Sequence, residues 1–186
     1  MANTKPFCSY CPLKLYNKNV LIRGTGTIHT RNIIIIPYID KQSSDKNDIL
    51  FNNVVAELAH VYFSTGEQLK DHFYITSAVK CNYNVKLPID DNVTDKCLNY
   101  LRYEISSIKP RVTLLIGDSV KFVLGLTVKD TIGKIYIKNG RYYVTNYNPL
   151  CKHYSEDDYK VFITEANHFF NAIAYNNFSH YKLVNL

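Results

Sequence analysis

The stretch "NIIIIP", residues 32–37, decides the fold class of this chain. Four consecutive β-branched residues favour extended backbone, and an apolar run without alternation predicts a strand buried on both faces. Strands of this kind occur almost only in parallel sheets that carry helices on both sides. We therefore expect helices and strands to alternate along the rest of the sequence.

Such an alternation follows the run. Apolar residues at helical spacing from Leu50 to Tyr62 predict a helix of about 14 residues. The segments "FYITSAV" (73–79) and "RVTLLIG" (111–117) predict a second and a third strand. Between them, Thr94 can cap a helix that ends near the following Lys-Pro pair.

The last third of the chain continues the pattern. "DSVKFVLG" (118–125) predicts a short helix that Gly125 ends, and Asn139-Gly140 between alternating apolar residues predicts a hairpin. Ser155 can cap a final helix through Ile173. The order of elements predicts a single domain over residues 1–186, an α/β fold built as a three-layer α/β/α sandwich around a mainly parallel sheet.

Composition limits the environment and the class of partner. The 186 residues suffice for one core, and no apolar run is long enough for a signal peptide or a membrane span. We expect a monomer in a reducing compartment, the cytoplasm or, if the chain is phage-encoded, the host cytoplasm. The net charge of +6 suits a polyanionic partner, although a solvated basic surface would give the same number.

Four of the five cysteines have spacings typical of metal ligands. Cys8 and Cys11 form a C-x2-C pair, Cys81 follows the second strand, and fifteen residues separate it from Cys97. Four thiolates could meet at one tetrahedral site, and both zinc and an iron-sulfur cluster accept four cysteines. Alternatively, Cys81 and Cys97 are small buried apolar residues. We expect Cys151 to be an unligated thiol.

The cysteine pattern, together with several segments in the same order, resembles the family four iron-sulfur uracil-DNA glycosylases. The segments are "GTG" at 24–26, "YITSAVKC", "CLNYLRYEISSIKPRVTLLIGDSVKFVLG" and "YVTNYNPL". The resemblance extends from Cys8 to about Tyr175. It implies DNA as partner, the fold described above, and a 4Fe-4S cluster on Cys8, Cys11, Cys81 and Cys97, with zinc as the alternative occupant.

The resemblance also indicates where a flipped base would bind. The family loop that lines the base pocket and helps to place water corresponds to "PYIDK" (37–41), where every family position has changed. We expect Tyr38 to contact the base and Asp40 to orient water, although an acidic residue in a polar loop is more often only solvated. Phe51 stands where the family stacks a ring on the base, and a buried helix position would explain it equally well.

Two further family positions have different residues here. Ser77 replaces an asparagine that reads the pyrimidine edge, and a hydroxyl cannot make the paired amide contact, so uracil selectivity should weaken or another base should be read. Asn148, in "YNPLCKH", replaces a histidine that donates to the departing base. We expect Asn148 to take over that donation, or His153 to do so.

The remaining candidates would contact DNA outside the base pocket. Leu150 could wedge into the duplex, and Lys152, His153 and Arg141 could contact phosphates. Because catalytic positions have changed while the ligand pattern remains, two hypotheses stand. The chain is a glycosylase of reduced or altered specificity, or it is an inactive relative that serves as a DNA-binding or replication/repair accessory subunit. A zinc scaffold without a DNA role is a third.

Overall fold

The computed structural model describes residues 11, 22–40, 49–62, 65–83 and 91–186. The strands are β1 (Thr25–Gly26), β2 (Asn32–Ile36), β3 (Ile39–Asp40), β4 (Tyr74–Ser77), β5 (Asn82–Tyr83), β6 (Val112–Ile116), β7 (Lys134–Lys138), β8 (Arg141–Asn146) and β9 (Lys182–Asn185). The helices are α1 (Asn53–Val61), α2 (Gly66–His72), α3 (Asp91–Ile108), α4 (Ser119–Leu124) and α5 (Glu156–Tyr175), with 3-10 turns at Ile49–Phe51 and Pro149–His153.

Seven of the strands form one sheet in the order β1-β4-β2-β6-β8-β7-β9. The four central strands β4, β2, β6 and β8 are mutually parallel, and β9 is parallel to β7. Antiparallel pairs join β1 to β4 and β7 to β8. A separate parallel pair links β3 and β5. The sheet is therefore mostly parallel, which confirms the α/β fold class.

Helices cover both faces of the sheet because β2 is apolar on both of its sides. Ile34 and Ile36 pack in the core formed with α1, α2 and α5, whereas Ile33 and Ile35 pack in the core formed with α3 and α4. All four isoleucines are fully buried. The three layers expected from "NIIIIP" are thus present.

The larger of the two cores is rich in aromatic rings. Phe73 lies 5.9 Å from Phe169 and 5.7 Å from Phe170 between ring centroids, and Tyr62 lies 4.7 Å from Phe170. These spacings are within the range in which aromatic pairs attract each other beyond simple burial. The cluster fixes α5 and the end of α1 over the start of β4.

Turn chemistry confirms two local predictions. Asn139 and Gly140 both have positive φ, 53° and 71°, as the two-residue hairpin between β7 and β8 requires. The Ser155 side chain accepts a hydrogen bond from the Asp158 amide at 3.2 Å and caps α5. Gly125 ends α4 in the left-handed conformation, at φ 75°.

The sequence analysis misplaced or missed several elements. The helix expected from Leu50 to Tyr62 is a 3-10 turn followed by the nine-residue α1. The short α2 was not expected, and neither was β9. Helix α3 starts at Asp91 rather than after Thr94, and Cys97 lies in its second turn. No helix within the described ranges is long and apolar enough to cross a membrane.

Truncating a buried ring on α5 should lower the free energy of unfolding much more than truncating an exposed ring. Phe169 is fully buried, so Phe169→Ala should lower the free energy of unfolding by about 3–5 kcal/mol. Tyr175, on the same helix, is 79% exposed, and Tyr175→Ala should change it by about 0.5 kcal/mol or less. Urea unfolding of both variants measures the difference. Equal losses would contradict the packing described for α5.

Candidate functional site

The carboxyl ends of the four central strands lie at one edge of the sheet, which we call the carboxyl edge. It comprises residues 37–40 after β2, 78–81 after β4, 117–118 after β6 and 147–148 after β8. The chain leaves β2 toward the face covered by α1 and leaves β6 toward the face covered by α4. A crevice at such a switch point is the usual ligand site of an open parallel sheet.

Asn148 lies at this crevice, against the end of β6. Gly117 has a positive φ of 54°, and a Cβ added there would be 3.0 Å from the Cβ of Asn148. The Asn148 Oδ1 accepts a hydrogen bond from the Leu150 amide at 3.0 Å and caps the 3-10 turn. Because the cap uses only Oδ1, the two Nδ2 hydrogens of Asn148 take no part in it.

Ser77 and Tyr38 both occupy structural positions near the crevice. Ser77 is 1% exposed and donates its hydroxyl hydrogen to the Val79 carbonyl at 2.8 Å. Its single donor is therefore used within the chain, and only an acceptor lone pair is left for a ligand. The half-buried Tyr38 packs against Val79 and Cys97, and its carbonyl accepts from Asn52 Nδ2 at 3.4 Å.

For three predicted site residues the structure describes only the backbone or nothing at all. Asp40 lies in β3, paired with Tyr83 of β5, and Phe51 lies in the first 3-10 turn. The side chains of Asp40 and Phe51 are outside the described residues, and so is the whole of Cys8. Their proposed roles stay predictions.

The other three predicted cysteine ligands belong to or pack against one small cluster beside the crevice. Cys11 and Cys81, both half-buried, pack against a small cluster formed by Val79 and Cys97. The Lys80 amide lies 3.5 Å from the Cys97 Sγ, a donor of the kind that supports ligating thiolates. Among the described residues, no three histidine, cysteine or acidic side chains are placed to hold a metal ion.

Cys151 is separate from this group. It is buried in the second 3-10 turn, where burial, together with the Asp158 carboxylate, raises the pKa of its thiol. A thiol with a raised pKa stays protonated and is a poor ligand and nucleophile. That Cys151 is not a ligand stays a prediction.

Lys80 is buried and paired with an acid, so it is not available to contact a phosphate. Its side chain is 2% exposed, and Nζ lies 2.5 Å from both Glu104 Oε2 and Thr76 Oγ1. Burial lowers the pKa of the Lys80 ammonium, and the Glu104 carboxylate opposes that shift. Glu104 also accepts from the Gly24 amide at 3.3 Å. The sequence carried no signal for this pairing.

Lys152 is likewise paired with an acid. Its ammonium contacts the Glu57 carboxylate of α1, and the Tyr159 hydroxyl donates to the other Glu57 oxygen at 2.9 Å. Burial on its own would raise the pKa of Glu57, but hydrogen bonds from Lys152 and Tyr159, with the Lys152 charge, lower it. Glu57 was not recognised from sequence, and its partner neutralises much of the charge that Lys152 could offer to a phosphate.

The remaining predicted DNA contacts do not form one group. His153 is exposed at the end of the 3-10 turn, whereas Leu150 is half-buried against the larger core. Arg141 opens β8, at the end of the strand opposite Asn148. It therefore lies at the other edge of the sheet, about 20 Å from Asn148 at roughly 3.3 Å per residue.

A sequence model of the Uracil DNA glycosylase superfamily matches residues 28–181. The matched range contains β2 to β8 and the whole carboxyl edge, and the Cys8-Cys11 pair lies before it. No curated protein matches the chain.

Adding a methyl group at Gly117 tests the contact with Asn148. Gly117→Ala should lower the free energy of unfolding by about 1–2 kcal/mol for the left-handed backbone, and by a further 1 kcal/mol or more because the new Cβ presses on Asn148. Gly125→Ala is the matched control, since Gly125 also has positive φ but nothing lies within 4 Å of its Cβ position. Equal losses in urea unfolding would place Asn148 away from β6.

Proposed function

The chain belongs to the uracil DNA glycosylase superfamily, and on that premise we propose that it binds DNA and hydrolyses the N-glycosidic bond of a flipped uracil or modified pyrimidine. The observation that carries this proposal is the position of Asn148. Its side-chain amide lies at the switch-point crevice, next to the end of a central strand. The amide oxygen already accepts a hydrogen bond from the Leu150 backbone amide, which holds the group in place. A preorganised donor at such a place is what a departing base anion needs.

The reaction assigns a task to each candidate residue. Water attacks the sugar carbon, the bond from that carbon to the base nitrogen breaks, and the electron pair leaves with the base. Asn148 Nδ2 would donate to the base carbonyl oxygen as negative charge grows there. Asp40 would orient the water, Phe51 would stack on the flipped base, and Tyr38 would line the pocket.

We further propose that Cys8, Cys11, Cys81 and Cys97 hold a 4Fe-4S cluster, with zinc as the alternative. The packing of the last three around Val79 supports this, as does the Lys80 amide beside Cys97. When bound, the group would supply structural cross-linking rather than chemistry at the base. The chain's own residues would tie the N-terminal segment to the end of β4 and to α3.

A second function is favoured by Ser77. The Ser77 hydroxyl donates its hydrogen to the Val79 carbonyl, so it has no donor left for the edge of a base. The asparagine of the family would offer both a donor and an acceptor there. An inactive relative that acts as a DNA-binding or replication/repair accessory subunit would need no base reader. Both functions place DNA at the carboxyl edge, and they differ only in whether product forms.

Asn148→Asp should abolish base excision while keeping the fold. A carboxylate still accepts the Leu150 amide and caps the turn, but it has no hydrogen to donate and repels the base anion. We expect excision from uracil-containing oligonucleotides, read as strand scission after alkali, to fall about 10²–10³-fold. Asn171→Ala, on the exposed side of α5, should keep the wild-type rate.

Three outcomes of this assay are informative. Product from the wild type that Asn148→Asp suppresses supports the glycosylase. No product from the wild type, with DNA binding retained, supports the accessory subunit. An Asn148→Asp variant as fast as the wild type would remove Asn148 from the reaction.

Metal analysis separates the cofactors. Protein purified without oxygen should contain about four iron and four sulfide per chain, or about one zinc if zinc is the occupant. Cys97→Ser should lose most of that content, and Cys151→Ser should keep it because Cys151 lies outside the proposed ligand set. Equal content in the two variants would contradict the ligand assignment.

A further inference from the structure

Four basic residues stand side by side at the edge of the sheet opposite the carboxyl edge. Arg31 precedes β2, Arg111 precedes β6, Arg141 opens β8 and Lys138 ends β7, on four consecutive strands of the sheet. We call this edge the amino edge and these four residues the basic row.

Backbone contacts fix the order of the basic row. The Arg111 amide donates to the Arg31 carbonyl at 2.7 Å, and the Tyr142 amide donates to the Arg111 carbonyl at 3.0 Å. Lys138 and Arg141 are paired in register across the hairpin. Since neighbouring strands are about 4.8 Å apart, the row spans roughly 15 Å.

Little in the adjoining sequence balances this charge. Asp71, one residue before the His72 carbonyl that accepts from Thr30 Oγ1, also lies near this edge, but no ion pair joins it to the basic row in the part of the chain that the structure describes. The segments 28–32, 109–111, 138–141 and 175–180, which meet at the amino edge, contain Lys109 as a further cation and no aspartate or glutamate. Like charges on neighbouring strands repel each other, so the row lowers the stability of the free protein. A polyanion would remove that cost.

Two of the guanidinium groups are already oriented. Arg31 Nε donates to the Lys109 carbonyl and Arg111 Nη2 donates to Asn176 Oδ1, both at 2.9 Å. Both side chains are exposed, and a guanidinium has five donors, so each keeps donors for a ligand. Holding the groups in place beforehand reduces the entropy lost on binding a phosphate.

A cavity of about 240 Å³ opens beside the row. Arg111 lines it together with the amide-bearing Asn32 and Asn176 and the ring of Phe178. Amides and an aromatic ring next to a guanidinium suit one sugar or base of a strand whose phosphates lie along the row.

The two edges of the sheet differ in the state of their cations. At the carboxyl edge Lys80 is paired with Glu104 and Lys152 with Glu57, so both charges are largely compensated. The basic row has no such carboxylate partner within the ranges that the structure describes. We propose that the basic row binds the phosphodiester backbone of a nucleic acid strand, as a second contact distinct from the carboxyl edge. This proposal does not depend on whether the chain excises bases.

Binding of uracil-free single-stranded DNA tests this assignment without any excision. The double variant Lys138→Gln/Arg141→Gln should weaken binding about tenfold at low salt, and the slope of log affinity against log salt should fall by about 1.4, since each phosphate contact contributes about 0.7. Arg141→Lys should restore much of the slope lost in Arg141→Gln, because the charge returns. Thermal unfolding verifies that each variant is folded.

The matched control removes the same charge elsewhere. Arg102→Gln/Lys129→Gln changes two exposed cations away from the amino edge that have no ion pair among the described residues, and it should leave the slope close to that of the wild type. An equal loss in this control would show a bulk charge effect and overturn the proposal, as would unchanged affinity in the first variant. Inorganic phosphate that binds at the cavity while DNA affinity ignores Lys138 and Arg141 would identify a small-anion site and also overturn it.

Discussion

The buried ion pair between Lys80 and Glu104 is the constraint on which the carboxyl edge depends. It joins the end of β4 to the middle of α3, while the Gly24 amide contacts Glu104 and the Ile22 amide contacts the Lys80 carbonyl. Removing one partner of a buried pair typically costs about 3–5 kcal/mol, because a charge is left uncompensated. Since Lys80 lies between Val79 and Cys81, the same pair fixes the end of β4, from which the chain continues to Cys81.

The sequence predicted those elements whose signal is local or is carried by burial on both faces. Three features are determined by residues within the element itself: the isoleucine run of β2, the hairpin at Asn139-Gly140 and the cap at Ser155. Helix α2 is polar and seven residues long, with a capping box from Thr65 and Gln68, and β9 is largely exposed. The capping box is a local signal from which the start of α2 could have been predicted. Strand β9 instead depends on pairing with β7, which is distant in sequence, and periodicity carries no record of such a partner.

The position of the candidate site could be predicted from the sequence, but the ion pairs and hydrogen bonds of its residues could not. Parallel strands bring their carboxyl ends together, so residues after β2, β4, β6 and β8 had to share an edge. By contrast, the Glu57 and Lys152 pair spans ninety-five positions of sequence, and either residue alone resembles an ordinary solvated charge. Ser77 shows the same limit, because the sequence gives its hydroxyl but not the Val79 carbonyl that takes its hydrogen.

The net charge of +6 says nothing about where a polyanion would bind, since internal pairs cancel cations unevenly. Pairing at the carboxyl edge compensates the charges of Lys80 and Lys152, so these two lysines add little attraction for phosphates at the crevice. Uncompensated arginines at the amino edge would supply attraction to phosphates without entering the crevice. Affinity for nucleic acid and the chemistry of the base would then depend on opposite ends of the same strands, and substitutions could alter one while leaving the other intact.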